Sequence, residues 1–127
     1  MIYGVGTDLC RIDRIARAME NPRFTGRVYT AAERARLENL CDERRAERAA
    51  GMFAAKEAVA KALGTGFSGF GFADIEILAD ERGKPVVHLR NGAAQILPGA
   101  SIHLSISHDG GMAIAFAVIE TKGGEQA

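Results

Sequence analysis

Asp8, Glu57 and Lys61 are the side chains in this 127-residue chain best suited to handling a phosphate ester. Asp8 follows Gly4-Val5-Gly6-Thr7, where two glycines end a short apolar run and a helical pattern begins. That layout looks like a phosphate-cradling turn, yet a carboxylate there repels phosphate. Two readings are open. Asp8 is the N-cap of the following helix, accepting backbone N–H bonds at the positive helix end. Alternatively, Asp8 is a ligand to a divalent cation, which lets an acid and a phosphate share one pocket. The second reading needs another oxygen ligand, and "FAAKEAVAKALGTG" (53–66) contains a candidate. Glu57 and Lys61 are four residues apart and share one helical face. They are either a solvated ion pair or a metal-binding carboxylate beside a phosphate-binding ammonium. Phe53, Val59, Ala60 and Leu63 give that helix an apolar, packed face, and Gly64-Thr65-Gly66 follows it, where backbone can approach a phosphate closely.

Other chemistries fit less well. A dinucleotide fingerprint needs glycine where Leu9 stands, and the alternation of strands and helices that should follow is missing. No G-K-[ST] follows the early glycines, so there is no P-loop. In "SISH" (105–108), strand alternation sends Ser105 and Ser107 one way and Ile106 and His108 the other, so Ser107 and His108 are not a nucleophile–base pair. His108 is either a polar residue opening the Asp109-Gly110 turn or a phosphate contact. Arg11, Arg14 and Arg17 are either a solvated helix face or a docking stripe for an acidic protein.

The elements that must hold these groups can be read from patterning. Ile2–Thr7 is a short strand. From Leu9 the pattern is helical, with Leu9, Ile12, Ile15, Ala16 and Met19 on one face, until "NPRF" (21–24) breaks it. Thr30 and Glu33 have capping-box spacing, opening a second helix that runs to about Leu40. A third spans about 46–63 and stops at Gly64. After the glycine-rich loop, 74–90 reads as a hairpin, 91–97 as a short helix, and 101–107 with 112–120 as two further strands around a "HDGG" turn. Helices early and strands late predict an α+β fold: an antiparallel sheet with helices packed on it. A single domain over 1–120 with a frayed tail over 121–127 is expected.

Composition narrows the function classes. The chain is 47% hydrophobic and 25% charged with zero formal net charge, a globular balance with no basic excess for nucleic acid. No apolar run approaches the roughly 20 residues of a membrane span, and "MIYGVG" lacks the marks of a signal peptide. Cys10 and Cys41 lack metal-binding spacing and read as free thiols in a reducing, cytoplasmic setting.

Taken together, "GVGTDLCRIDRI", "FTGRVYTAAE", "FAAKEAVAKALGTG" and "SISHDGGMAIAFAVIE" resemble the holo-acyl-carrier-protein synthases, the small 4'-phosphopantetheinyl transferases of fatty-acid synthesis. The resemblance implies the 4'-phosphopantetheinyl transferase fold. It implies transfer of the 4'-phosphopantetheine arm of coenzyme A to a serine of apo acyl carrier protein, with 3',5'-ADP as the other product. It makes Asp8 and Glu57 magnesium ligands and Lys61 a pyrophosphate contact. Gly64, Thr65, Gly66, Ser105, Ser107 and His108 become coenzyme A contacts, and Arg14, flanked by Arg11 and Arg17, a carrier-docking residue. Either Glu57 or a water on the metal then takes the serine proton. The family is typically a homotrimer with active sites between subunits. Two departures are visible: Arg11 where many relatives are acidic, and Met52 where many have arginine, a contact that Arg48 or a neighbouring subunit would then supply. The competing readings are a non-catalytic module binding coenzyme A or carrier protein and, more distantly, a generic magnesium-dependent nucleotide enzyme.

Overall fold

Small residues on one face of a sheet decide how this chain folds. The computed structural model describes residues 1–122. In order these form β1 (Ile2–Arg11), α1 (Ile12–Ala18), α2 (Pro22–Val28), α3 (Ala31–Ala35), α4 (Asp42–Leu63), a 3-10 turn (Phe72–Asp74), β2 (Ile75–Ala79), β3 (Pro85–Leu89), α5 (Asn91–Ala94), β4 (Ser101–Asp109) and β5 (Met112–Glu120). β1, β5 and β4 make an antiparallel sheet with β5 in the centre, and β2 pairs with β3 as a separate hairpin. The expected α+β class with antiparallel sheets is the one observed.

The sheet's inner face is unusually small. β5 turns Ala113, Ala115, Ala117 and Ile119 inward, all essentially inaccessible, against α4 alanines 54, 55, 58 and 62, which are equally buried. Gly4 and Gly6 of β1 continue that face. A Cβ on Gly4 would collide with the Ala62 carbonyl oxygen, and one on Gly6 with that of Ala58. At the other edge, a Cβ on Gly51 of α4 would come within 2.9 Å of the Ile106 Cγ2 of β4. The early glycines therefore admit a helix, not a phosphate.

Several expected boundaries move. β1 runs on through Arg11 because β5 continues to pair with it as far as Met112 opposite Arg11. Asp8 is consequently mid-strand, and its N-cap reading is wrong. Leu9 is not on a helical face but points outward, 59% exposed. Arg11 is the residue before α1 and pairs with Asp13 at 3.3 Å. "NPRF" ends one helix but also starts another: the Asn21 side chain accepts from Arg23 N at 3.0 Å, with Pro22 in the first turn. The Thr30–Glu33 capping box forms as expected. Its helix stops at Ala35, because Arg45 takes the Leu37 carbonyl (3.0 Å) and the Leu40 carbonyl (2.6 Å) and Arg48 takes that of Arg36 (2.9 Å). Guanidinium groups thus satisfy acceptors that a longer helix would have used.

α4 begins at Asp42, earlier than expected, with Asp42 and Glu43 favourably placed at its positive end. It stops where expected, at Gly64, whose φ of +84° suits glycine. The 74–90 hairpin is present. α5 covers only the first turn of the expected short helix. β4 extends to Asp109, so His108 is a strand residue and the turn is Gly110-Gly111. Met1 N donates to Thr121 O (2.7 Å) and Thr121 N to Met1 O (2.8 Å); the rest of the expected tail, from residue 123, lies outside the described residues. No helix among the described residues is long and apolar enough to cross a membrane.

The close approach of β1 to α4 is open to test. Gly6→Ala should lower stability by roughly 1–3 kcal/mol, the usual cost of overpacking, read as a fall in thermal midpoint. An unchanged midpoint would mean that α4 can lift off the sheet without cost.

Candidate functional site

Strand alternation turns Asp8 toward α4, and the helical repeat turns Glu57 and Lys61 toward β1. Lys61 Nζ lies 3.3 Å from Asp8 Oδ1 and donates to the Thr7 carbonyl at 3.0 Å. The Asp8 side chain is 18% exposed and that of Lys61 54%, so the acid is sheltered and the ammonium reaches into solvent. Burial pushes the Glu57 carboxyl above its ordinary range, Asp8 raises it further, and Lys61 opposes both. Burial likewise raises the nearby Cys10 thiol to about 11, again with help from Asp8. Two carboxylates that repel each other, with a half-exposed Lys61 bonded to one of them, form an electrostatic seat for a cation. Among the described residues no group of three or more His, Cys, Asp or Glu side chains could enclose a metal. Two carboxylates suit magnesium, which keeps waters and takes substrate phosphates as its remaining ligands.

The glycine-rich loop starts one turn beyond Lys61. Gly64 N donates to Lys61 O (3.0 Å) and Gly66 N to Ala60 O (3.2 Å), so these two amides cap α4. The space above both Cα atoms is open. Asp74 ties the far end of the loop, accepting from Gly71 N at 3.0 Å and from Asn91 Nδ2 at 2.7 Å.

A second feature lies at the other edge of the sheet. A cleft of about 360 Å³ opens between α4, the segment after α3, the β2–β3 hairpin and β4. Arg36, Arg44, Arg48 and His108 line it, with Met52 and Ile77 supplying apolar wall. His108 Nδ1 sits 3.9 Å from Glu47 Oε2. Ile106 and His108 share one face of β4, as expected, and that face is turned to α4. Ser105 and Ser107 pair with Phe116 and Ile114 on the opposite face, so they reach neither the acid pair nor the cleft. Arg36 and Arg44 escaped the sequence reading. The i,i+4 repeat of Arg44 and Arg48 was a readable signal for half of this basic wall.

Arg14 and Arg17 are exposed on α1, and Arg23 and Arg27 of α2 add to the basic surface. Beneath the site, Lys56 and Glu33 form an ion pair with no exposure at all, another feature that sequence reading passed over.

The Glu57 environment has a consequence for stability. Its folded carboxyl is raised above its ordinary 4.5, so its contribution is fully present below that pH and is lost as pH rises through the raised value. In chelator, the thermal midpoint of Glu57→Gln minus that of the unaltered chain should therefore climb as pH rises above 4.5. A difference that stays flat with pH would show that Glu57 is not held in this repulsive setting.

Comparison with known proteins shows the family. A family model described as the 4'-phosphopantetheinyl transferase superfamily matches residues 4–117. The chain is 50% identical over 125 residues to a holo-[acyl-carrier-protein] synthase of Clostridium novyi, covering 94% of this chain and 88% of the relative. It is 49% identical over 132 residues to the one from Methylobacterium radiotolerans, covering 94% of each. Among solved structures, a holo-(acyl-carrier-protein) synthase from Bacillus anthracis in complex with CoA (3',5'-ADP) superposes with a TM-score of 0.84 at 38% identity, covering 96% of this chain and 99% of that one. The acyl carrier protein synthase of Mycobacterium tuberculosis follows at 0.77 and 34%, covering 96% and 100%. On residues 4–117 and on identity along nearly its full length, this chain belongs to the 4'-phosphopantetheinyl transferase superfamily.

Proposed function

We propose that this chain is a magnesium-dependent holo-[acyl-carrier-protein] synthase of the cytoplasm. It transfers the 4'-phosphopantetheine arm of coenzyme A to a serine of apo acyl carrier protein, releasing 3',5'-ADP, in fatty-acid biosynthesis. The observation that carries this reading is the Asp8–Glu57 acid pair with Lys61 beside it, in a chain half identical to synthases of that name.

In the proposed reaction the carrier serine Oγ attacks the phosphorus that bears the pantetheine arm. A new P–O bond forms, the bond to the 3',5'-ADP oxygen breaks, and the serine proton moves to a base. Glu57 is the candidate base on this chain, a carboxylate in the electrostatic reach of Asp8 and Lys61. Lys61, more than half exposed, can swing from Asp8 to a phosphate oxygen and meet charge that grows on the leaving group. Magnesium held by Asp8 and Glu57 would supply further charge neutralisation at the pyrophosphate. The open turn at Gly64, Thr65 and Gly66 leaves room for that pyrophosphate, and the basic cleft ending at His108 suits the phosphorylated nucleotide end of coenzyme A. Arg14 and Arg17, with Arg23 and Arg27, provide the positive surface for an acidic carrier.

Two observations support a homotrimer. The outer face of the sheet leaves Val5, Leu9, Ile114 and Phe116 between 43% and 59% exposed, an apolar patch that marks an interface. The acid pair sits at the β1 edge and the basic cleft at the β4 edge, with β5 between them. A homotrimer with its outer faces around a threefold axis brings the β1 edge of one protomer to the β4 edge of the next, completing each site.

Incubation with apo carrier protein, coenzyme A and magnesium should add a phosphopantetheine arm to the carrier, followed by mass. Asp8→Ala and Glu57→Ala should each reduce transfer by about a hundredfold or more. A carrier mass that never changes would refute the enzyme and leave a binding module. In light scattering the chain should run at three times its 13.5 kDa mass, and Phe116→Arg as a monomer. A stable, fully active monomer would refute the shared site.

A further inference from the structure

Lys56 is a fully buried cation immediately before Glu57. Its Nζ donates to Glu33 Oε1 (2.9 Å), to the Phe72 carbonyl (3.0 Å) and to the Ile75 carbonyl (2.6 Å). Glu33, equally buried, also accepts from Thr30 N (2.8 Å) and Ile77 N (2.6 Å). Burying such a pair exacts a desolvation penalty that often matches its Coulombic gain, and apolar side chains of similar size frequently stabilise as well. Stability alone is thus a weak account of it. What the pair does, and apolar residues would not, is pin backbone groups of the 3-10 turn and of β2 to α4 at the turn that carries Glu57.

Those groups lead to two parts of the proposed coenzyme A site. Phe72 stacks on Phe67 of the glycine-rich loop, with ring centroids 4.1 Å apart, so the position of Phe72 is passed to the loop. Ile77 forms cleft wall, and its carbonyl accepts from Arg36, another cleft residue, at 3.1 Å. Neither Lys56 nor Glu33 bonds to α1, which bears Arg14 and Arg17.

We infer that Lys56 and Glu33 are positioning residues for the coenzyme A substrate, holding the Phe72–Ile77 segment so that the glycine-rich loop before it and the cleft wall after it stand in register with Glu57. This rests on the function proposed above. The double variant K56M/E33Q removes the buried charges together, while K56M alone leaves Glu33 unpaired. In the double variant, KM for coenzyme A should rise about tenfold, while kcat at saturating coenzyme A and KM for the apo carrier stay within about twofold. A generally loosened fold would move all three. Unchanged KM for coenzyme A in a folded double variant would overturn the inference and leave the enzyme reading intact. So would a loss confined to kcat, or failure of both variants to fold. No transfer by the unaltered chain would instead remove the function on which the inference stands.

Discussion

Backbone-to-backbone contact between α4 and β1 is the constraint on which the rest depends. Glycine at positions 4 and 6 lets the Ala62 and Ala58 carbonyls sit where side chains would otherwise be. The helix then lies low across the three strands, reaching β1 through Ala50, whose carbonyl accepts from Cys10 at 3.4 Å, and β4 through Gly51. Only at that separation can Lys61 of the helix bond both the Thr7 carbonyl and the Asp8 carboxylate of the strand. The acid pair is a product of this fit. A side chain that widened the gap would draw Asp8 away from the turns of α4 that bear Glu57 and Lys61.

The same low-lying helix divides the chemistry between its flanks. One flank offers carboxylates and a lysine, the other guanidinium groups and an imidazole. A molecule with a charged nucleotide at one end and a reactive pyrophosphate further along has use for both, and the strand order keeps them two strands apart, about 10 Å, within one chain. The geometry therefore rewards assembly around the apolar outer face, the arrangement proposed for this protein.

Much of this was readable from the residues because the signals were local. The capping box at Thr30, the stop at Gly64 and the 74–90 hairpin each depend on a few adjacent side chains, and each is where the pattern predicts it. The i,i+4 spacing put Glu57 and Lys61 on one face, as found. Errors arose where a distant partner decides. Leu9 and Cys10 fit a helical stripe, but β5, a hundred residues on, captures them into a strand. The helix opening at Thr30 ends early because Arg45 and Arg48, from another element, take its carbonyls. No adjacent residue marks Lys56; only the fold shows that it is sealed inside with Glu33. Beyond the Arg44–Arg48 repeat, the basic cleft was hidden for the same reason, being built from α4, the segment after α3, the hairpin and β4.

An α4–sheet interface of glycine and alanine has a thermodynamic side. Alanine loses no rotamer freedom on burial, so ordering this interface is entropically cheap, but each methyl also removes little apolar surface from water. The layer between α4 and the sheet is correspondingly thin, while Leu9, Ile114 and Phe116 stand on the sheet's outer face. In the trimer proposed above, further hydrophobic burial becomes available when copies meet, and folding and association would then share one free energy. For such an assembly melting temperature is a function of protein concentration, and dilution acts as a denaturant.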